Sequence, residues 1–420
     1  MSALARFRDE TFSSLRTRNF RLFFTGQVIS QIGNWMTLVV QTLLVLKITD
    51  SGIALGVLMI SQYGPVLLLG PWAGLIADRS DKRRLLMAVQ SMAMLQSFVL
   101  AALAFMPHPP LYGLYAAALF GGITLAFDHP ARRAFVVEMV EIEDVPNAVS
   151  LNSALMTGSR IVGPALAGLA LATIGFGWAF IADGVSYIAV IAAFAMMRTS
   201  ELQRSTPAKR ESGQIRAGFR YARSVPDIWT PLIMMAIVGT LTYNFQVVFP
   251  LFTTRDLGGS KVAFTLLFSV MSMGALVGAL AAARRRHIAL RTVALSSIAF
   301  GIGMAVMSVT PNIWLAYPVS FLIGLASIAF LTAATAIFQT NSTPEMRGRV
   351  LALQAMVFLG STPIGGPILG WICERYGARW GIAVGAAAAL GAGLWGMSRV
   401  RARGRAGANA VGNLPDLPGA

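Results

Sequence analysis

The sequence predicts an all-α membrane protein. Twelve transmembrane helices form two pseudo-symmetric six-helix bundles, with both termini cytoplasmic. Three observations predict this. The chain of 420 residues is 55% hydrophobic and only 12% charged, against roughly 25% charged in soluble domains. Its apolar stretches approach the roughly 20 residues that cross a ~30 Å hydrocarbon core as a helix. Its basic residues fall on alternate polar segments. This composition excludes disordered, collagen-like and disulfide-rich classes. Cys373 is the single cysteine, so no intrachain disulfide forms. His108, His129 and His287 lie too far apart to suggest a metal cluster, and no cofactor motif is present.

The predicted spans are 21–46, 53–76, 85–106, 112–135, 147–173, 177–198, 229–252, 261–283, 289–310, 313–338, 349–373 and 380–398. The positive-inside rule tests that count independently. With the N-terminus inside, 28 of the 34 Lys and Arg residues fall on the cytoplasmic side, from Arg6 to Arg405. Lys47, Arg255, Lys261, Arg375 and Arg379 fall outside, and Arg160 lies within a span. Moving one helix in or out would scramble this separation. The net charge of +16 is therefore mainly a topology signal, with a weak contact to anionic lipid, and calls for no nucleic-acid partner. The first span follows about 20 polar residues and is too long for a signal-peptide core, so it stays uncleaved.

The longest internal polar stretch divides the spans six and six. This gives an N-terminal bundle over 1–198, a cytoplasmic linker over 199–227, a C-terminal bundle over 228–400 and a disordered tail over 401–420. Residues 215–223 read either as a short interfacial amphipathic helix or as plain linker. The two halves look like weak copies. Gly163, Pro164 and Gly168 match Gly366, Pro367 and Gly370, and Gly70 and Gly74 match Gly274 and Gly278, at offsets of 202 to 204. Internal duplication of this kind is common in secondary transporters, which place substrate between the repeats.

The most specific motif runs from Gly74 through Asp78, Arg79, Asp81, Lys82 and Arg83 to Arg84. It resembles the signature loop of the major facilitator superfamily, Gly-x-x-x-Asp-Arg-x-Gly-Arg-Arg, with Asp81 where glycine is usual. That departure puts the expected tight turn in doubt. The motif implies a gate: Gly74 lets helices approach, and Asp78 meets a helix N-terminus or an arginine of the opposite half. The alternative is a positive loop that only fixes topology. Gly158-Ser-Arg160-Ile-Val-Gly163-Pro164-Ala-Leu-Ala-Gly168 resembles the fifth-span motif of exporters in this superfamily, where proline and glycines let the helix bend and pack against the other half. Ala126 to Arg133, followed by Asn147 to Ser153, is similar to the bacterial branch that includes the enterobactin exporter.

The first span carries Gln27, Gln31, Asn34 and Gln41 on one helical face. Lipid does not accept such a stripe. It either lines a cavity or bonds to another helix. The superfamily fold implies the cavity, with Tyr243 and Asn244 of span 7 opposite and Thr332, Thr335 and Gln339 of span 10 as weaker partners. Arg160 and Asp183 are the deepest charges. Arg160 is 13 residues beyond Asn147, roughly 20 Å up at 1.5 Å per residue. Asp183 lies about 9 Å below the outer face on the same measure, at a similar depth. The expectation is an Arg160–Asp183 ion pair, structural or proton-coupling. Asp128 and Arg132, one turn apart, are expected to latch the cytoplasmic side with Asp78 and Arg79, or else to form a local pair.

The resemblance implies a secondary active exporter of small amphipathic molecules (siderophore, drug or metabolite), working by alternating access, coupled to protons as an antiporter and monomeric in the inner membrane of a bacterium. An importer of the same fold and a non-transporting sensor or assembly partner are the alternatives. The chain lacks a phosphate-binding Gly-x-x-x-x-Gly-Lys-Ser/Thr loop, and its scattered Asp128, His129 and Asp183 do not suggest an enzyme.

Overall fold

A computed structural model describes residues 11–203, 214–283 and 288–412. Among the described residues, twelve helices are long and apolar enough to cross a membrane. Spans 1 to 6 are Arg18–Thr49, Gly52–Arg79, Lys82–Phe105, Leu111–Glu138, Val145–Thr173 and Gly175–Ala195. Span 7 comprises Pro226–Leu241 and Phe245–Leu251, followed by a wide turn over Phe252–Asp256. Spans 8 to 12 are Lys261–Ala283, Leu290–Val309, Ile313–Thr340, Pro344–Tyr376 and Ala378–Gly412. The helices overrun the apolar stretches at both ends. Charged residues continue a helix into the interface, where long side chains keep their heads in water.

Local chemistry sets the boundaries. Ser51, Asp81 and Asn312 cap spans 2, 3 and 10, each side-chain oxygen accepting a backbone N–H three residues on. Pro146, Pro226 and Pro344 stand in the first turns of spans 5, 7 and 11, where a missing N–H costs nothing. Gly175 and Gly377 close the turns between spans 5 and 6 and between spans 11 and 12 with φ of 80° and 97°. Side chains rarely adopt that conformation. The two turns are related by the same offset as the repeated motifs, which supports two copies of one unit.

Two features differ from the sequence reading, and a third decides between its alternatives. Span 7 is broken at Thr242–Asn244. The helix of the last span runs to Gly412, past the point where a disordered tail was expected, because its Arg and Ala residues favour a helix; residues 413–420 lie outside the described residues. Gln214–Ser224 is a helix, as one of the two linker readings had it. It docks on the second half. Phe219 packs edge-on against Trp229 at 5.4 Å, and the Tyr221 hydroxyl accepts the Thr343 N–H at 3.1 Å. The rest of the linker, 204–213, and the basic loop 284–287 lie outside the described residues.

Spans 1 to 6 pack together, as do spans 7 to 12, and the halves meet through spans 2 with 11 and 5 with 8. Exposed Tyr112, Trp178, Trp314, Trp371, Tyr376 and Trp380 stand at the end of the bundle away from the termini. Such residues settle at a lipid–water interface.

Candidate transport pathway and gates

The halves touch tightly at the end away from the termini. A Cβ on Gly370 would strike the Gly52 backbone, one on Gly56 would stand 2.7 Å from Pro367, and one on Gly366 would stand 2.8 Å from Met59. On the other seam, a Cβ on Gly168 would strike Thr265. Only glycine lets these helices come so close. The repeated motifs agree in packing at one position. Gly168 and its match Gly370 both cross to the other half, to spans 8 and 2, whereas Gly163 meets Trp35 of its own half and its match Gly366 meets Met59 of the other; Gly365 beside it meets Thr240 of span 7. The matched spacing in the sequence therefore reflects matched packing only at Gly168 and Gly370. Gly70 and Gly274 do not share that correspondence. Gly70 has nothing within 4 Å, whereas Gly274 is pressed against Phe321.

A polar clasp closes the same end. Arg255 reaches across to Asp50, contacting its carbonyl and, at 3.3 Å, its carboxylate. It also stands 3.7 Å from Glu374, whose carboxylate accepts the Gly52 N–H at 2.6 Å. Lys47 of the first half and Lys261 of the second lie over the Phe176 ring at 5.3 and 4.9 Å. No motif marked these residues, because their partners are more than 200 positions away in some cases. The sequence signal was five isolated basic residues on the side that the positive-inside rule assigns to the exterior.

The terminal end is looser. Gly70 and Gly348, toward the terminal ends of spans 2 and 11, and Gly158 at the middle of span 5 have no other element within 4 Å of a Cβ. In the signature loop, Lys82 and Arg83 bond within their own half. Asp81 caps span 3, with φ −63°, so the position where glycine is usual needs no unusual backbone. Lys82 forms a buried ion pair with Glu138 at 2.6 Å. Arg83 donates to the carbonyls of Phe194 and Ala195 at 2.6 and 3.0 Å, at the C-terminus of span 6, where the helix dipole favours a cation. Asp78 is half-buried and Arg79 exposed.

The expected latch takes a different form. Arg132 pairs with Asp128 on its own helix, and Gln90 of span 3 donates to Asp128 at 2.8 Å. The remaining Arg132 contact is Met156 at 3.4 Å, so Arg132 does not reach Asp78. Both carboxylate and guanidinium are buried, and burial requires the nearest opposite charge to be satisfied first.

The Arg160–Asp183 ion pair does not form. The Asp183 carboxylate points into the first bundle, where Thr37 of span 1 and Ser97 of span 3 donate to one oxygen at 2.6 and 2.7 Å. The other oxygen, beside Gly33, has no hydrogen-bond partner. Arg160 points between the halves, with its guanidinium 5.1 Å from the Trp35 ring. A helix rise predicts height and says nothing of azimuth, and the azimuth separates these two residues.

The polar stripe of span 1 divides. Gln41 donates to the Leu114 carbonyl of span 4 at 3.1 Å, and Gln31 donates to Gln27 at 3.2 Å. All three are buried; Gln41 ties span 1 to span 4, the interhelical bond that the alternative reading allowed, whereas Gln31 and Gln27 bond within span 1. Asn34 is half-buried. In span 7, the Tyr243 hydroxyl donates to the Ser327 carbonyl at 2.5 Å and Asn244 donates to Thr240 at 2.7 Å. Thr332 bonds to its own helix, and Thr335 accepts from Gln354 at 2.6 Å. Two further residues escaped the sequence reading. Trp35 and Tyr63 were indistinguishable from core aromatics until the fold placed them beside Arg160.

Comparisons with known proteins agree with this arrangement. Residues 9–413 match the family model of the transmembrane secretion effectors. The chain is 25% identical to the staphyloferrin A transporter of Staphylococcus aureus, over 85% of this chain and 90% of that protein. It is 21% identical to macrolide efflux protein A of Streptococcus pyogenes, over 85% and 90%. It is 23% identical to the enterobactin exporter of Salmonella typhi, over 84% of each. Among solved structures, a bacterial homologue of the human lysosomal transporter Spinster superposes with a TM-score of 0.73 at 14% identity, over 92% of this chain and 97% of the other. A peptide transporter, POT, gives 0.73 at 14% identity, over 93% and 95%. The relatives are transporters and not enzymes. A twelve-span chain that joins its two halves through glycine seams at one end, and matches this family along nearly its whole length, is a multi-pass transporter of the bacterial plasma membrane and belongs to the transmembrane secretion effectors of the major facilitator superfamily.

Proposed function

We propose that the protein exports small amphipathic molecules from the cytoplasm by alternating access, as an antiporter that exchanges them for protons. The observation that carries the reading is the unequal contact between the halves. They are sealed by glycine seams and the Arg255 clasp at one end, whereas toward the other end Gly70 and Gly348 meet no neighbouring element within 4 Å. A rocking transporter needs two sets of contacts that form in turn. The basic residues assign the loose end to the cytoplasm, so this state opens inward. The names of the relatives, a siderophore transporter, a macrolide efflux protein and an enterobactin exporter, support outward transport of siderophore- or drug-like compounds. The protein works as a monomer, since the path runs between halves of one chain.

Asp183 is the proton carrier in this reading. It is buried with no cationic partner, two hydroxyls hold one carboxylate oxygen, and the other oxygen is left free to carry a proton. Its neighbours on spans 1 and 3 move with the first bundle.

The test is transport in vesicles reconstituted with purified protein. An imposed pH gradient should drive erythromycin or a siderophore uphill. Counterflow without a gradient reports exchange alone. Asp183→Asn should abolish proton-driven accumulation and keep counterflow. Unchanged proton-driven transport removes Asp183 from the mechanism. Inward accumulation under every gradient overturns export.

A further inference from the structure

We infer that Arg160 is a docking point for an anionic group of the transported molecule, a carboxylate or a similarly acidic oxygen, held against an aromatic wall built by both halves. The inference deepens the exporter reading and rests on it for the direction of transport, though the docking point itself requires only binding.

Arg160 lies at mid-span in span 5, where a charge is expensive and is retained for function. Every other charged side chain in the interior has a defined local partner: Lys82 has Glu138, Arg132 has Asp128, and Asp183 has two hydroxyls. Arg160 has neither a carboxylate nor a hydrogen-bond acceptor among the described residues. Its contacts are the Trp35 ring at 5.1 Å and the phenol groups of Tyr63 and Tyr243, which lie within electrostatic reach. Its side chain is exposed, and Trp35, Tyr63 and Tyr243 are each half-buried. That exposure faces the space between the bundles, since Trp35 of the first half stacks on it and Tyr243 of the second lies within electrostatic reach.

Guanidinium offers five N–H donors in a planar fork that matches an acidic group with two oxygens. Stacking on Trp35 leaves its edge free for that fork. The Tyr243 hydroxyl is already committed to Ser327, so Tyr243 presents ring rather than donor. Nearby Asn244 keeps a buried side-chain oxygen without a partner, and Gln246 stands beside Tyr63. An acidic group joined to an aromatic or apolar body fits such a site.

The geometry also connects docking with rocking. Trp35, Tyr63 and Arg160 belong to the first half, and Tyr243 sits in the broken segment of span 7 in the second. Gly163 fixes the Trp35 side of the site, because any side chain there would displace Trp35. A ligand spanning Arg160 and Tyr243 therefore binds one arrangement of the halves better than the other, as a transported molecule must.

The test compares an acid with its neutral isostere. Full-length protein in phosphatidylcholine nanodiscs is heated with 2-naphthoate or with 2-naphthamide. The acid should raise the melting temperature and bind at least tenfold tighter than the amide. Arg160→Gln should erase that preference and leave amide binding intact. Arg160→Lys should keep part of it, and Asp183→Asn should keep all of it. The unliganded melting temperature of each variant reports folding. Equal responses to acid and amide, a preference that survives Arg160→Gln, or no response to either compound overturns the inference. Repeating the titration in phosphatidylglycerol separates two sources of the anion. An unchanged acid response assigns the site to a soluble molecule, and its suppression assigns it to a lipid headgroup and overturns the substrate assignment. Loss of vesicle transport for every compound, with the acid preference intact, overturns the exporter reading and leaves this one standing.

Discussion

The two halves share a fold and hold it together by different means. In the first half the interior is polar and charged. Lys82, Asp128, Arg132, Glu138 and Asp183 are buried there, and no charged residue among the described residues is buried in the second half. The second half is built from rings, hydroxyls and close backbone contacts. Tyr243 meets Phe245, Phe300 and Phe358 at 5.8, 5.2 and 5.1 Å between ring centres. Gly324 admits the Met271 backbone, and Gly365 admits that of Thr240. A duplicated unit can thus keep its packing geometry while one copy takes on ionic chemistry. The copy without buried charge can bend at span 7 without breaking an ion pair.

Four experiments test this contrast. The largest effect should come from Asp128→Ala, which strands Arg132. Losing one partner of a buried pair costs about 3–5 kcal/mol, to be read by equilibrium unfolding in mixed detergent. Replacing both residues with apolar ones of similar size should restore most of that stability. Next is Gly365→Val in the second half, where an added side chain meets the Thr240 carbonyl. Overpacking of this kind costs about 1–3 kcal/mol, seen in the same assay. If it costs more than Asp128→Ala, the first half does not depend on its charges as argued. Tyr243→Phe keeps the rings and loses the bond to Ser327; a loss of about 0.5–1.5 kcal/mol is expected. The smallest effect is Arg255→Gln. The clasp is partly exposed and is worth about 0–1 kcal/mol, too little to change folding. A conformational balance is more sensitive, since ~1 kcal/mol shifts a population about fivefold. Spin labels flanking Asp50 and Glu374 should therefore report more molecules open at that end. An unchanged distance distribution removes the clasp from gating.

Much of the architecture was legible in the sequence because lipid imposes simple rules. Spans must be long and apolar, and basic residues sort by side. The repeated Gly-Pro motifs were legible because close helix contact has few chemical solutions. Partners were harder to read. Arg160 and Asp183 could be set at similar heights by helix rise but not in azimuth, and the face carrying Gln31 and Gln41 could be named without the neighbour it meets; a few tens of degrees decide between an adjacent helix and the central space. The Arg255 clasp joins segments that are distant in sequence, and Trp35 and Tyr63 are chemically ordinary until Arg160 stands beside them. The break in span 7 leaves no proline or glycine at 242–244 to announce it.

The placement of Asp128 and Asp183 also bears on how the chain enters the bilayer during synthesis. Asp128 has its countercharge four residues later on the same helix, so span 4 can leave the translocon as an electrically neutral rod. Asp183 has no such companion. Its two hydroxyl donors, Thr37 and Ser97, belong to segments that the ribosome has already delivered. Span 6 thus finds its hydrogen bonds waiting, and the order of synthesis from N- to C-terminus matches the order in which its polar load can be accepted.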